Sequence, residues 1–146
     1  MAEKVVVTGG SGRAGEYIIA ELAANGYEVY NADVVPPRPG SPSNAAQFWR
    51  IDVTDYGEVL NALTGADAVI HMAAIPAPNM DPEHKVFRVN MMANWNVLEA
   101  AEVHGIGRIC MASSINAVGA GWGSKLYTPG YYPVDENHPT RVEDAY

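Results

Sequence analysis

Residues 5 to 15 carry the densest chemical signal in this chain. Val5-Val6-Val7-Thr8-Gly9-Gly10-Ser11-Gly12-Arg13-Ala14-Gly15 passes from a β-branched apolar run through glycines into a helical pattern. Gly9 permits a tight turn, Gly12 lets the backbone approach a pyrophosphate with no Cβ in between, and Gly15 lets the helix pack closely on the sheet. The helix N-terminus then faces the anion, so the segment reads as a phosphate cradle. A second concentration is Ser113-Ser114, which follows the apolar run from Arg108 to Ala112. Hydroxyls at the carboxyl end of a central parallel strand lie where open α/β sheets place their ligand crevice. His71 ends another apolar run and reads as a hydrogen-bonded structural group rather than a catalyst. His71, His84, His104 and His138 are spread without metal-ligand spacing, so no metal is expected.

These groups need a scaffold, and the apolar pattern supplies one. Lys4 to Thr8, Glu28 to Ala32, Gln47 to Ile51, Ala68 to Met72 and Arg108 to Ala112 read as strands that alternate with helical stretches. Such an order implies an α/β protein whose parallel sheet is covered on both faces. Ala14, Ile18, Ile19, Leu22 and Ala23 form a helical stripe closed by Asn25-Gly26. After the third strand, Thr54 or Asp55 can cap a helix bearing Val59, Leu60 and Leu63, with Asp55 and Glu58 at capping-box spacing. The longest helix is expected from Asp81-Pro82 to about His104, before Gly105, with Val86, Val89, Ala93, Val97 and Ala100 inward. Asn94 and Asn96 read as exposed positions on it. The run from Pro36 to Pro42 reads as a stiff surface loop.

With 146 residues, 48% of them hydrophobic, the chain has the size and composition of one domain with a real core. Its net charge is −8 and its nine Lys and Arg are scattered, so no basic stripe exists to hold nucleic acid. No apolar stretch is long enough to span a membrane, and Ala2-Glu3-Lys4 leads at once into a strand rather than a signal peptide. The single Cys110, within an apolar run, argues for a reducing compartment or an inert core thiol; a cytoplasmic protein is expected.

Taken together, the motifs resemble the N-terminal half of an extended short-chain dehydrogenase/reductase of the NAD-dependent epimerase/dehydratase branch. Thr8-Gly9-x-x-Gly12-x-x-Gly15 matches that family's glycine signature, and the resemblance covers the whole chain. It implies a three-layer, Rossmann-like, doubly wound parallel sheet of at least five strands in the order 3-2-1-4-5. Residues 1–146 would be its dinucleotide-binding domain, with the C-terminal substrate domain absent. Thr8, Gly9, Gly12, Arg13, Ala14 and Gly15 would then cradle the cofactor. Asp33, 18 residues past Gly15, would accept hydrogen bonds from the adenosine ribose and repel a 2′-phosphate, which favours NAD over NADP. Arg38 nearby can serve a phosphate and keeps NADP open. Asp52-Val53 matches the family's adenine contact, although Asp52 also suits a capping role before Thr54. Met72, Ala73 and Ala74 resemble the small-residue turn along which the backbone passes the cofactor.

The same resemblance assigns catalysis. Ser114 aligns with the family's catalytic hydroxyl, Tyr146 with its catalytic tyrosine, and Asn90 with the asparagine that supports a proton relay. Asn116 falls at a substrate position, and its amide disfavours dehydratase-type acid–base chemistry. Val118 stands where relatives usually carry tyrosine. The sequence given stops at Tyr146, before the lysine expected four positions on, so this chain alone is expected to be nearly inactive. Implied substrates are sugars or nucleotide-sugars, handled by an epimerase or a sugar or uronate dehydrogenase, and a homodimer through the long helix is expected. The competing class is a non-catalytic NAD-binding module. The segment from Gly119 to Pro133, with Trp122, Lys125, Tyr127, Tyr131 and Tyr132, reads equally as a sugar contact or a packing loop.

Overall fold

A computed structural model describes residues 2–119, 128–141 and 146. Its sheet has five parallel strands: β1 (Lys4–Thr8), β2 (Glu28–Asp33), β3 (Gln47–Arg50), β4 (Ala68–His71) and β5 (Ile109–Met111). The strand order is β3-β2-β1-β4-β5, as the resemblance implies. In β1, Thr8 lies opposite Ala32 of β2 on one side and His71 of β4 on the other. The sheet therefore reverses its winding beside β1, at the position where this topology opens a crevice.

Helices α1 (Gly15–Ala24), α2 (Tyr56–Ala62) and α3 (Glu83–Val103) complete the layers. The side-chain period of two in β1 divides the core. Val5 and Val7 pack with Ile19, Ile18 and Leu22 of α1, whereas Val6 faces Val59 and Ala62 of α2 and Ala93, Val97 and Ala100 of α3. The chain divides into two compact units, residues 1–74 with 89–111, and residues 75–88 with 112–146. The sheet, α1, α2 and most of α3 belong to the first. No helix among the described residues is long and apolar enough to cross a membrane.

Local expectations fare unevenly. Gly26, at φ 83°, follows the Asn25 cap of α1 in the left-handed region, as a C-terminal stop requires. At Gly15 a Cβ would clash with Gly9 O and would meet Gly10 Cα at 2.7 Å. Its missing side chain lets the helix start against the backbone that leaves β1. Asp55 caps α2 by accepting from the Glu58 N–H at 3.0 Å, but Glu58 Oε2 reaches back to Asp52 N–H at 2.6 Å and not to Asp55. The capping box is thus only half formed. Cys110 is exposed, contrary to a core thiol, because β5 is the outermost strand among the described residues and its side chains are left largely uncovered.

The largest departure concerns α3. Asn96 is 2% exposed, and its Nδ2 donates to Val53 O at 3.0 Å. Asn94 is half-buried and bonded to His71 at 3.1 Å. Neither is the solvent-facing residue that its polarity suggests. Replacing Asn96 with alanine leaves the Val53 carbonyl buried without its donor, so Asn96→Ala is expected to lower unfolding free energy by about 1–3 kcal/mol. Urea denaturation checks this, and an unchanged midpoint would contradict it.

Candidate functional site

The glycine loop is built by close backbone approach. Gly9, at φ 68°, sits so near the chain leaving β4 that a Cβ would lie 2.6 Å from Ala73 N and 2.8 Å from Met72 C. A Cβ on Gly10 would clash with Asn31 Oδ1 and meet Ile19 Cδ1 at 2.5 Å. Gly12 is the exception, since only Gly9 O comes within 4 Å, at 3.1 Å. Its outer face is open, and Gly12, Arg13 and Ala14 are all exposed. Gly12 N–H returns to Gly9 O and Glu16 N–H to Gly12 O, while Arg13 and Ala14 N–H find no acceptor among the described residues. Open space, unused N–H groups and a helix N-terminus fit a pyrophosphate.

Thr8, His71 and Asn94 hold this loop to β4 and α3. His71 Nε2 faces Asn94 Oδ1 at 3.1 Å, and His71 Nδ1 faces Thr8 Oγ1 at 2.6 Å. Asn94 presents an acceptor, so Nε2 carries the imidazole proton and Nδ1 accepts from the Thr8 hydroxyl. The Thr8 oxygen is then an acceptor for Ala73 N–H, at 3.4 Å. Burial pushes the His71 pKa below its ordinary 6.5, with the bond to Asn94 opposing. His71 is accordingly a neutral, positioning group.

Asp33 ends β2 with both carboxylate oxygens engaged. Oδ2 accepts from Ser11 N–H and Oδ1 from Val35 N–H, each at 3.0 Å. Each oxygen retains a further acceptor site for a hydroxyl. Arg38 is drawn to Glu16, 3.7 Å from its Oε2, although the guanidinium is largely exposed. The run from Pro36 to Pro42 lies at the surface as expected, and the 3-10 turn that follows, Pro42–Ala45, anchors it through the fully buried Ser43. Asp52 Oδ1 accepts from both Thr54 N–H and Thr54 Oγ1, a local turn, while Asp55 takes the helix cap. Asn96 Nδ2 takes one acceptor position of the Val53 carbonyl, while Val53 N–H finds no acceptor among the described residues.

Of the remaining expected residues, Met72 and Ala73 are half-buried, Ala74 is exposed and Asn90 is buried on α3. In the second unit Ser114 opens a short 3-10 turn, Ile115–Val118, by accepting from Asn116 N–H at 3.2 Å. Asn116 is buried and Tyr146 half-buried. Trp122, Lys125 and Tyr127 lie outside the described residues. Tyr131 donates its hydroxyl to Asp135 Oδ1 at 2.6 Å, a bond that pushes its pKa up to about 12 and makes it unsuited as a base. In the first unit the cofactor-type residues thus follow the carboxyl ends of β1, β2 and β4, with Asp52 and Val53 just past β3. An open cavity of about 580 Å³ along β3 and the end of α2 is lined by Trp49, Arg50, Asn61 and Thr64 among others. Its lining holds no carboxylate, and its one hydroxyl, on Thr64, donates to Leu60 O at 3.4 Å.

Sequence reasoning passed over Ser43, Asn31 and Asn94. The helical asparagines were the available signal, since an amide in mid-helix needs a partner.

A profile of the NAD dependent epimerase/dehydratase family matches residues 5–139. The chain belongs to this family, within the extended short-chain dehydrogenase/reductases. It is 34% identical to a protein of Methanocaldococcus jannaschii named putative UDP-glucose 4-epimerase, over 97% of this chain and 46% of that one. Among solved structures, UDP-glucose 4-epimerase of Thermus thermophilus in complex with NAD is 30% identical with TM-score 0.80, covering 98% of this chain and 46% of that one. Uronate dehydrogenase of Agrobacterium tumefaciens is 27% identical with TM-score 0.77, covering 97% and 49%. The chain therefore spans about half the length of these relatives.

The depressed His71 pKa has a definite sign. The folded state resists protonation, so its contribution to stability is complete above pH 6.5 and is lost as pH falls through the lower folded value. The stability advantage of the wild type over His71→Gln should shrink between pH 7.5 and 5, by at most about 1.4 kcal/mol per pH unit. Urea unfolding at several pH values measures it, and a pH-independent difference would contradict the assignment.

Proposed function

We propose that the chain is the cofactor-binding and acid–base domain of an NAD-dependent oxidoreductase or epimerase acting on a sugar or nucleotide-sugar. The observation that carries this is the open face over Gly12 beside the doubly held Asp33 carboxylate. Bound there, NAD would supply the hydride acceptor.

The chain's own residues divide the remaining work. Arg13 and Ala14 N–H, with the Arg13 guanidinium, bind the pyrophosphate. Asp33 accepts from the ribose hydroxyls, and its charge repels a 2′-phosphate. Asp52 accepts from the adenine amino group while Val53 N–H completes the pairing, with its carbonyl held aside by Asn96. Met72, Ala73 and Ala74 line the passage toward the reacting end. Ser114 hydrogen-bonds the reacting oxygen, Tyr146 takes its proton, and Asn90 supports the relay to water. Positive charge close by would favour the phenolate form that proton removal by Tyr146 requires. Asn116 contacts the substrate, and its amide, which does not exchange a proton as a carboxyl does, favours plain hydride transfer over elimination. A second copy pairing through α3 is the proposed partner.

Epimerase and dehydrogenase share the first step and differ in the fate of the reduced cofactor. An epimerase retains it and returns the hydride; a dehydrogenase releases it. In the natural protein, supplied with a uronate or a UDP-hexose, Tyr146→Phe and Ser114→Ala are each expected to lower kcat/KM by about 10²- to 10⁴-fold. The NAD affinity should be unchanged. Full activity in both variants would overturn the catalytic assignment.

A further inference from the structure

We propose that Ser43 is a positioning residue that sets the preference for NAD over NADP, acting through a single peptide plane. This rests on reading Asp33 as the ribose-facing carboxylate. The carbonyl of Gly10 and the N–H of Ser11 belong to one trans peptide and point in opposite directions. Ser43 Oγ donates to Gly10 O at 2.6 Å, and Ser11 N–H donates to Asp33 Oδ2 at 3.0 Å. The plane is thus gripped at both ends, by a buried hydroxyl on one side and by the selecting carboxylate on the other.

The surroundings leave it little freedom. Beneath Gly10 the backbone lies against Asn31 and Ile19, and Asn31 Nδ2 donates to Ser11 Oγ at 3.0 Å. Ser43 is itself fixed, because its N–H donates to Ser41 Oγ at 3.2 Å and that hydroxyl donates to Glu16 Oε2 at 2.8 Å. The loop between β2 and β3 is therefore strapped to the first turn of α1 and presents Ser43 to the glycine loop from inside. Ser43 has no exposed surface, so it acts on the cofactor only through Gly10, Ser11 and Asp33.

The chemical consequence is selective. Two vicinal ribose hydroxyls need both carboxylate oxygens at a fixed angle, because hydrogen bonds weaken steeply with misalignment. Repulsion of a 2′-phosphate depends mainly on charge and distance. Freeing the Gly10–Ser11 peptide degrades the first far more than the second, so affinity for NAD falls while the weak affinity for NADP stays nearly constant.

The test is titration of the protein with NAD and with NADP, with melting temperature recorded for each variant. Ser43→Ala is expected to raise the Kd for NAD about 5- to 10-fold and that for NADP less than about 2-fold. Ser43→Cys, close in volume and a weak donor, should fall between it and wild type, and it carries the test should the alanine variant not fold. Equal weakening of both cofactors, or no change in either, would overturn the proposal and leave Ser43 a packing residue. Asp33→Asn separates the two levels of the argument. A collapsed NAD-to-NADP ratio in Asp33→Asn beside an unchanged ratio in the Ser43 variants sinks the role of Ser43 alone. An unchanged ratio in Asp33→Asn sinks the reading of Asp33, and the proposal with it.

Discussion

Everything at the crevice depends on how closely the backbone leaving β1 can approach the backbone leaving β4. The space a Cβ would need at Gly9 is taken by Ala73 N, 2.6 Å away, so only glycine can occupy the turn. The approach brings polar main chain into a half-buried place, and N–H groups drawn out of water require partners. Thr8 answers that need for Ala73, and His71 answers it for Thr8 by accepting the hydroxyl proton at 2.6 Å. Asn94 fixes the proton on the far side of the imidazole. A chain of three side chains from β1, β4 and α3 therefore sets the geometry of the two strand ends between which a dinucleotide would lie.

Helix α3 has a larger part in this than a covering layer would. Its apolar residues Ala93, Val97 and Ala100 pack on Val6 and Val69 and fix the depth of the helix against the sheet. Its asparagines then act as registers. Asn94 reaches the end of β4 through His71, and Asn96 reaches the turn after β3 through the Val53 carbonyl. One helix thereby ties down two sides of the crevice, the side proposed for adenine and the side proposed for the reacting end. Apolar contacts alone tolerate sliding, whereas a buried amide must meet its partner or lose free energy of about 1–3 kcal/mol.

The strands were legible because they rest on local signals, namely β-branched runs of the right length, glycine stops and the alternation with helices, whereas their order followed from the family resemblance. The glycine loop was legible for the same reason, since its function is carried by backbone and by missing side chains. What escaped were pairings between residues far apart in sequence. Ser43 directly follows the proline-rich surface loop that ends at Pro42, and nothing local says that its hydroxyl ends on Gly10, 33 residues away. Asn94 and Asn96 look like surface residues until their partners, 23 and 43 residues distant, are known. Cys110 failed in the opposite direction: its apolar neighbours suggested a core, but burial is decided by what packs on the strand. The division of the chain has a related lesson. The cofactor-type residues lie in the first unit, and the serine and tyrosine proposed for chemistry lie in the second.

The central claim is that the carboxyl ends of β1, β2 and β4 bind a dinucleotide through the glycine loop. Titrating an isotope-labelled sample with NAD and following backbone amide resonances tests it most directly. The account predicts saturable shifts concentrated at Gly9 to Gly15, at Asp33 and at Met72 to Ala74. Shifts confined to the cavity beside Trp49 and Asn61, or no saturable shift at all, would contradict it.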